Sequence, residues 1–527
     1  MQKVIIIGAG LAGLSASVTL AEHGISCALI SLQNSERAQS VLAEGGINAS
    51  LNTMGENDTV QNHYEDTLRG GVYLADPNAV QNLTFHAPEI VRWLEKLGVP
   101  FNMTDSDIML RNFGGQKKKR TAYARSSTGK IIMTALIDEV RRYEAGGLIQ
   151  RYPHHEFIQL LTENQACYGV RIQDAYTGKM TDFKGSVLLC SGGMNGVFPE
   201  MTTGTTQNSG DVTATVFRQG VTLGNLEMIQ YHPTTIGISG KRCLVTEAAR
   251  GEGGRLCIMQ NQQKYYFMEE KYPELGNLMP RDVVAREMYF IRRKYGGEVF
   301  LDMTELSSVT WQKKLSDLRQ EIMHYLSLDP KTDLIPVREG IHYFMGGIDT
   351  DEYHRTNFRN LYAAGECTCQ YHGANRLGGN SMLGALYGGR KSAETIIKTA
   401  EFLTEENQEV SVSVPEKASP VLIQKISQIL LSGLGIVRNQ ETLLKQLNAL
   451  EVLANQRTYS FYEQNRLLLA EAMLRSALER RESRGAHYRE DYPDKNDNFR
   501  KTTIAECDDK NRVRISFRPI PEKRADI

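Results

Sequence analysis

The chain has 527 residues, enough for a large buried core and roughly two to four domains. Its 61 basic and 62 acidic side chains nearly cancel and form no long block, which excludes an electrostatic footprint for nucleic acid or an anionic membrane. Eight cysteines are scattered without CxxC or zinc-ligand spacing, and Cys367-x-Cys369 alone is too little for a metal site, so they read as reduced thiols of a cytoplasmic protein.

In chain order, Lys3 to Ile7 is a short β-branched run expected to form a buried parallel strand. It leads straight into Gly8-Ala9-Gly10-Leu11-Ala12-Gly13, then a helical pattern over Leu14 to His23 and a second strand over Cys27 to Ser31. That order is the dinucleotide fingerprint: Gly8 for the turn, Gly10 for pyrophosphate approach, Gly13 for helix-on-strand packing. Ser31 replaces the acidic residue usual after the second strand, which suits FAD better than NAD. Val4 to Ala21 is interrupted by three glycines and two serines and reads as neither signal peptide nor membrane span, so membrane attachment is expected only through a partner.

Ala43-Glu44-Gly45-Gly46 lets the main chain approach a flat ring. Asp76 and Pro77 start a helix expected to continue to about Leu97. Phe113-Gly114-Gly115 sits in a loop, Lys117 to Arg120 reads as a solvated loop, and Gly129 to Tyr143 as a helix. From His155 to Cys190 strand-like runs alternate with turns, a small meander, and Val187 to Gly193 is a buried strand ending in glycines beside the cofactor. Asp211 precedes a helical run that it is expected to cap while facing the cofactor.

Residues 231–341 break the α/β pattern and concentrate His232, Thr246, Glu247, Arg250 and Arg281, with His342 just beyond. They read as an inserted lid. In 361–389 a buried strand reaches Gly365-Glu366, a polar loop carries Arg376, and Asn380 and Ser381 lead into a helix beginning at Met382. A helix start offers unpaired N–H groups, and arginine grips a carboxylate bidentately. Past Ala400 comes a linker with Glu405, Glu406 and Glu409, then amphipathic helices near Pro420 to Leu431, Glu441 to Asn455 and Tyr459 to Glu482. The tail from Asp491 is charged and turn-rich.

Taken singly, these polar residues have ordinary structural explanations. Together, two histidines, a threonine and two arginines suit a dicarboxylate, with one cation left for chemistry. The chain resembles the flavoprotein subunit of the succinate dehydrogenase and fumarate reductase family, which includes L-aspartate oxidases, through GAGLAG, AEGGI, SGDVTATVFRQG, YHPT, LVTEAARGEGG, PRDVVAR, IHYFMGGI, HGANRLGGNSMLGALYGGR and ESRGAHYREDYP. The resemblance implies an α/β fold with a Rossmann-like FAD domain in two segments, 1–230 and 342–404, a capping domain over 231–341, a helical domain over 405–490 and a tail over 491–527.

It also implies roles. His232 and Thr246 would hold one substrate carboxylate, and His342 and Arg376 the other. Arg281 would be the general acid, reprotonated through Glu247 and Arg250, with hydride passing from flavin N5 to an alkene carbon as the lid closes. Gly8, Gly10, Gly13, Ser31, Gln39, Ser40, Glu44, Gly45, Gly46, Asp211, Glu366, Asn380, Ser381 and Met382 would surround FAD. Arg484 and His487 recur in the family near the flavin region, without an assigned role.

Two departures from the family pattern carry weight. Gln39 stands in the stretch where members with covalent FAD carry a histidine, so dissociable FAD and a bias to fumarate reduction are expected. Phe113 precedes Gly-Gly where aspartate oxidases place an acidic residue, which ranks fumarate first, with L-aspartate oxidase or reduction of another α,β-unsaturated acid as alternatives. The chain has no haem or iron–sulfur cysteine pattern, so electrons would come from outside, from an iron–sulfur partner or a free reduced carrier.

Overall fold

The computed structural model describes residues 3–400, 407–412 and 415–524. Its central sheet is parallel, in the order Leu361–Ala363, Ser186–Leu189, Lys3–Ile7, Ser26–Ser31, Ile149–Pro153. Strands buried on both faces need apolar side chains throughout, and Val4, Ile5 and Ile6 are fully buried. The first strand ends at Gly8, whose φ of +113° favours glycine and where an added Cβ would lie 2.1 Å from the Cys190 carbonyl oxygen. Helix Leu11–Glu22 follows and packs against helix Asn380–Thr399, so distant parts of the sequence share one core.

A six-stranded antiparallel sheet is built on Ile229–Ile238 and Ile335–Phe344, which pair at its heart. It has its own apolar cluster, including Val284, Leu301 and Val337, into which Phe113 also packs. The expected meander is present as His155–Glu163, Ala166–Asp174 and Met180–Lys184. The three C-terminal helices are Pro420–Gly433, Gln440–Ala454 and Phe461–Glu479; their leucines enter the large core, and Ser419, Asn439 and Ser460 cap them.

Several expectations are corrected. The helix expected from Pro77 to Leu97 is two helices, Pro77–Phe85 and Ala87–Lys96. Pro88 has no N–H to continue the ladder and clashes with the preceding turn, so the chain breaks at His86. The tail is not irregular: Lys501–Cys507 and Val513–Pro519 form a hairpin joined to Leu223–Gly224. The linker contains a strand, Gln408–Val410, paired with the meander, while Glu405 and Glu406 lie outside the described residues. Arg120 is not solvated; it is fully buried, with ion pairs of 2.9 Å to both Asp58 and Asp66.

Candidate active site and cofactor chamber

A cavity of about 510 Å³ starts at the glycine turn and reaches the polar residues of the six-stranded sheet. Gly8, Gly10, Ser31, Gln39, Ser40, Glu44, Gly45 and Gly46 line one part of it; Asp211, Glu366, Ser381 and Met382 line another. Local contacts fix this wall. Ser40 Oγ accepts from Leu11 N at 3.3 Å, and Gln39 Oε1 accepts from Thr205 N at 2.5 Å. Ser31 Oγ donates to Gln33 O at 2.7 Å and remains free to accept. Arg111 reaches the carbonyls of Glu44 and Gly45 while lying over the Phe113 and Tyr123 rings, so the small-residue loop is held from behind. Burial pushes the Glu44 carboxyl up to about 8, with Glu321 adding to the rise and Arg111 opposing it. Burial likewise lifts Glu366 to about 7, against the Phe344 N–H and Arg376.

The chamber fits FAD. Gly8 leads into a helix start as a pyrophosphate requires, and the Asn380–Thr399 helix begins after Gly379 with no side-chain cap, leaving first-turn N–H groups for a ligand. Ser191 lines the chamber with its Oγ buried. Two expected cofactor contacts, Gly13 and Asn380, take other places, and Asp211 keeps its place on the wall without the capping role expected of it. Gly13 is off the chamber wall, and a Cβ there would lie 1.9 Å from Gly8 O, so it serves helix-on-strand packing alone. Asn380 is turned into a buried network, accepting from Asn48 at 2.7 Å, lying 3.0 Å from His63 Nε2 and donating to Thr67 at 3.0 Å. Asp211 caps nothing: Gly210, with φ +78°, is the N-cap, and the Asp211 carboxylate is held by Arg466 at 2.7 Å.

The far end of the chamber brings His232, Thr246, Glu247, Arg281, His342 and Arg376 together. His232 and His342 come from the paired strands, and bulges around Gln230 and His232 leave their rings 5.1 Å apart and tilted by 61°. Thr246 and Glu247 precede the short helix Ala248–Gly251, and Arg281 opens the helix Arg281–Tyr295 after Pro280. Arg281 Nε donates to Glu247 Oε2 at 3.0 Å, and its Nη2 donates to the same oxygen. Arg250 Nη2 lies 3.4 Å from the other Glu247 oxygen and Nη1 donates to Asn277 O at 2.6 Å; this arginine is behind the wall rather than on it. Phe113 is on the wall and almost fully buried.

Burial and the neighbouring guanidinium groups hold His232 and His342 well below the ordinary imidazole range, so both are neutral at pH 7. Burial raises the Glu247 carboxyl, but Arg281 and Arg250 outweigh it and the net shift is downward, keeping the group ionised. Burial followed by repulsion from Arg281 lowers Arg376 to about 9. Among these groups, three guanidinium groups against the Glu247 carboxylate leave two positive charges beside two neutral imidazoles. His232 Nε2 and Arg376 Nε are buried with no hydrogen-bond partner among the described residues.

Four contributors carry no sequence signal that singles them out. Gln230 accepts from Arg281 Nη1 at 3.1 Å and donates to Asn375 Oδ1 at 2.9 Å and Arg376 O at 2.8 Å, tying both arginines together. Thr203 Oγ1 lies 2.7 Å from His342 Nδ1. Tyr343 underlies Arg376, whose guanidinium carbon is 4.4 Å from the ring centroid. Arg111 supports the Glu44 loop as described. Arg484 and His487 are elsewhere, bound to Glu482 and Arg438 in a buried network away from the chamber.

A parallel sheet with this glycine turn, a dinucleotide-sized chamber and a cationic pocket at its end define a flavin-dependent oxidoreductase. The FAD binding domain family matches residues 3–382 and the fumarate reductase flavoprotein C-term family matches residues 454–525. The chain belongs to the succinate dehydrogenase and fumarate reductase flavoprotein family, whose relatives here include L-aspartate oxidases. It is 34% identical to the succinate dehydrogenase flavoprotein subunit of Bacillus subtilis over 96% of this chain and 94% of the relative. It is 35% identical to the L-aspartate oxidase of Pyrococcus furiosus, over 95% and 98%. Its fold matches E. coli quinol fumarate reductase FrdA with a TM-score of 0.87 at 28% identity, covering 99% of this chain and 97% of that one. Among the described residues no helix is long and apolar enough to cross a membrane, and no group of His, Cys, Asp and Glu is arranged to hold a metal ion.

Proposed function

We propose that the protein reduces fumarate to succinate using dissociable FAD. The observation that carries this is the excess of two positive charges beside two neutral, buried imidazoles, a match for a small dianion. Thr246 and His232 take one carboxylate; His342 and Arg376 take the other. A Thr203 hydroxyl that donates to Nδ1 leaves His342 with its proton on Nε2, ready to donate to that carboxylate. Tyr343 and Gln230 fix the direction of Arg376.

FAD, when bound, supplies the hydride for one alkene carbon. Arg281 gives the proton to the other, and the Glu247 carboxylate holds its guanidinium in place and passes the replacement proton from Arg250. Residues 231–341 act as a lid that brings Arg281 to the substrate and excludes water, which strengthens each of these charge interactions. Gln39 cannot form the histidine linkage to the cofactor, and reducing equivalents reach it from an iron–sulfur subunit or a free reduced carrier.

Aspartate oxidation is the second reading, favoured by the 35% identical relative from Pyrococcus furiosus. Against it, the substrate ammonium would face Phe113 where a carboxylate is needed, and the surrounding groups are chiefly donors. Two experiments test the proposal. Arg281→Ala should retain FAD and lose fumarate turnover by roughly 10²- to 10⁴-fold, and near-normal rates reject the acid assignment. Acid precipitation should leave the yellow colour in the supernatant; a yellow pellet contradicts dissociable FAD.

A further inference from the structure

The match to the FAD binding domain family ends at residue 382, but the cofactor chamber does not. Lys417, Ala418, Ile423, Tyr462 and Arg466 also line it. Ile423 lies on helix Pro420–Gly433, and Tyr462 and Arg466, four residues apart, share one face of helix Phe461–Glu479. The chamber here is walled by Ser31 to Asn34, after the second strand, and by His155 to Phe157 of the meander. In a dinucleotide fold the end of the second strand receives the adenosine ribose, so these helices cover the AMP half of FAD rather than the flavin.

The helical wall is seated on the cofactor domain by its leucines, which share one core with Ala214, Val216 and Phe217, and at the edge of the chamber by charged and polar contacts. Arg466 Nη2 donates to Asp211 Oδ2 at 2.8 Å and its Nε lies 2.7 Å from Oδ1, and both residues face the chamber. Next to them Asn465 donates to Thr215 Oγ1 at 3.0 Å and accepts from Arg218 at 3.2 Å. Lys417 pairs with Glu156 at 3.2 Å on the rim, and Tyr462 is buried against Ile158 and Met180.

We infer that helices Pro420–Gly433 and Phe461–Glu479 form a latch over the AMP half of FAD, with Arg466 its principal anchor. Arg466 lines the site itself and also positions the Asp211 carboxylate. A ligand that binds only the closed arrangement stabilises it by mass action, so FAD occupancy and docking of the helices rise together. The latch takes over the retention that a covalent bond gives elsewhere in the family. It rests on the dissociable FAD proposed above, which acid precipitation tests separately.

The test uses the full chain stripped of flavin and titrated with FAD or with FMN, which lacks the AMP half, following flavin fluorescence. Arg466→Ala should weaken FAD binding by roughly tenfold or more and leave FMN binding unchanged, with Arg466→Lys in between. Hydrogen exchange on the wild-type chain needs no variant: adding FAD should slow exchange across 420–433 and 461–479, and adding FMN should not. Unchanged FAD affinity in Arg466→Ala, an equal loss for FAD and FMN, or no FAD-dependent protection of the two helices would each overturn the latch.

Discussion

Replacing Glu247 with glutamine keeps the side-chain shape and removes the negative charge that lies between Arg250 and Arg281. The carboxylate is 3% exposed and accepts two N–H groups from Arg281 on one oxygen, with Arg250 3.4 Å from the other. Removing one partner of a buried ion pair costs about 3–5 kcal/mol, and the lower end applies because the amide oxygen still accepts one bond. Arg281 then loses the group that fixes its direction, and with it a general-acid contribution of about 10²- to 10⁴-fold in kcat. Substrate binding should go the other way. The variant site carries one more positive charge facing a dianion, so KM for fumarate should stay level or fall. Steady-state rates with reduced viologen and fumarate separate the two effects, with thermal unfolding and FAD content measured on the same preparation. A kcat within about threefold of wild type, or a lost kcat with an equally raised KM, would refute the positioning of Arg281 by Glu247.

Thr203→Val removes the hydroxyl 2.7 Å from His342 Nδ1 and should raise KM for fumarate by roughly tenfold with kcat largely kept, while Thr203→Ser restores it. An unchanged KM in Thr203→Val would show that the tautomer of His342 is set some other way. Glu366 gives a pH signature, since its carboxyl sits near 7 when folded against an ordinary 4.5. The proton it retains stabilises the folded chain fully below 4.5, and that contribution is lost as pH rises through 7. Flavin-free Glu366→Gln should therefore lose less stability than wild type between about pH 5 and pH 8 in thermal unfolding. Parallel curves would contradict the shift.

The parts of the fold written in local pattern were legible. Lys3–Ile7, the glycine turn and the next helix follow from β-branched residues and spacing alone, and the leucine stripes mark the three C-terminal helices. The hairpin at the tail was hidden because Val513–Pro519 leaves its Arg514, Ser516 and Arg518 face exposed, while Lys501–Cys507, buried on both faces from Thr502 to Ala505, fills that stretch with two threonines in place of an apolar run. Pro88 did signal the break at His86, but the strong start at Asp76–Pro77 masked it.

The site divides the same way. His232, Thr246, Arg281 and His342 fall in or just beyond the stretch that breaks the α/β pattern and Arg376 in the loop before a helix; singly each has an ordinary explanation, and the fold brings all five to one cavity. Gln230 and Thr203 do not stand out, because their importance comes from strand pairing and a bulge that no short window of sequence encodes. Asn380 shows the converse: its position at a helix start was right, but its side chain answers to Asn48, His63 and Thr67.

On the proposed function, two neutral imidazoles and an excess of guanidinium charge receive an unsubstituted dianion. Purified protein should be assayed with reduced viologen and fumarate, and in parallel with L-aspartate and oxygen. Rapid viologen oxidation that depends on fumarate, with little or no aspartate turnover, is the predicted result; sustained aspartate oxidation without fumarate reduction would contradict it.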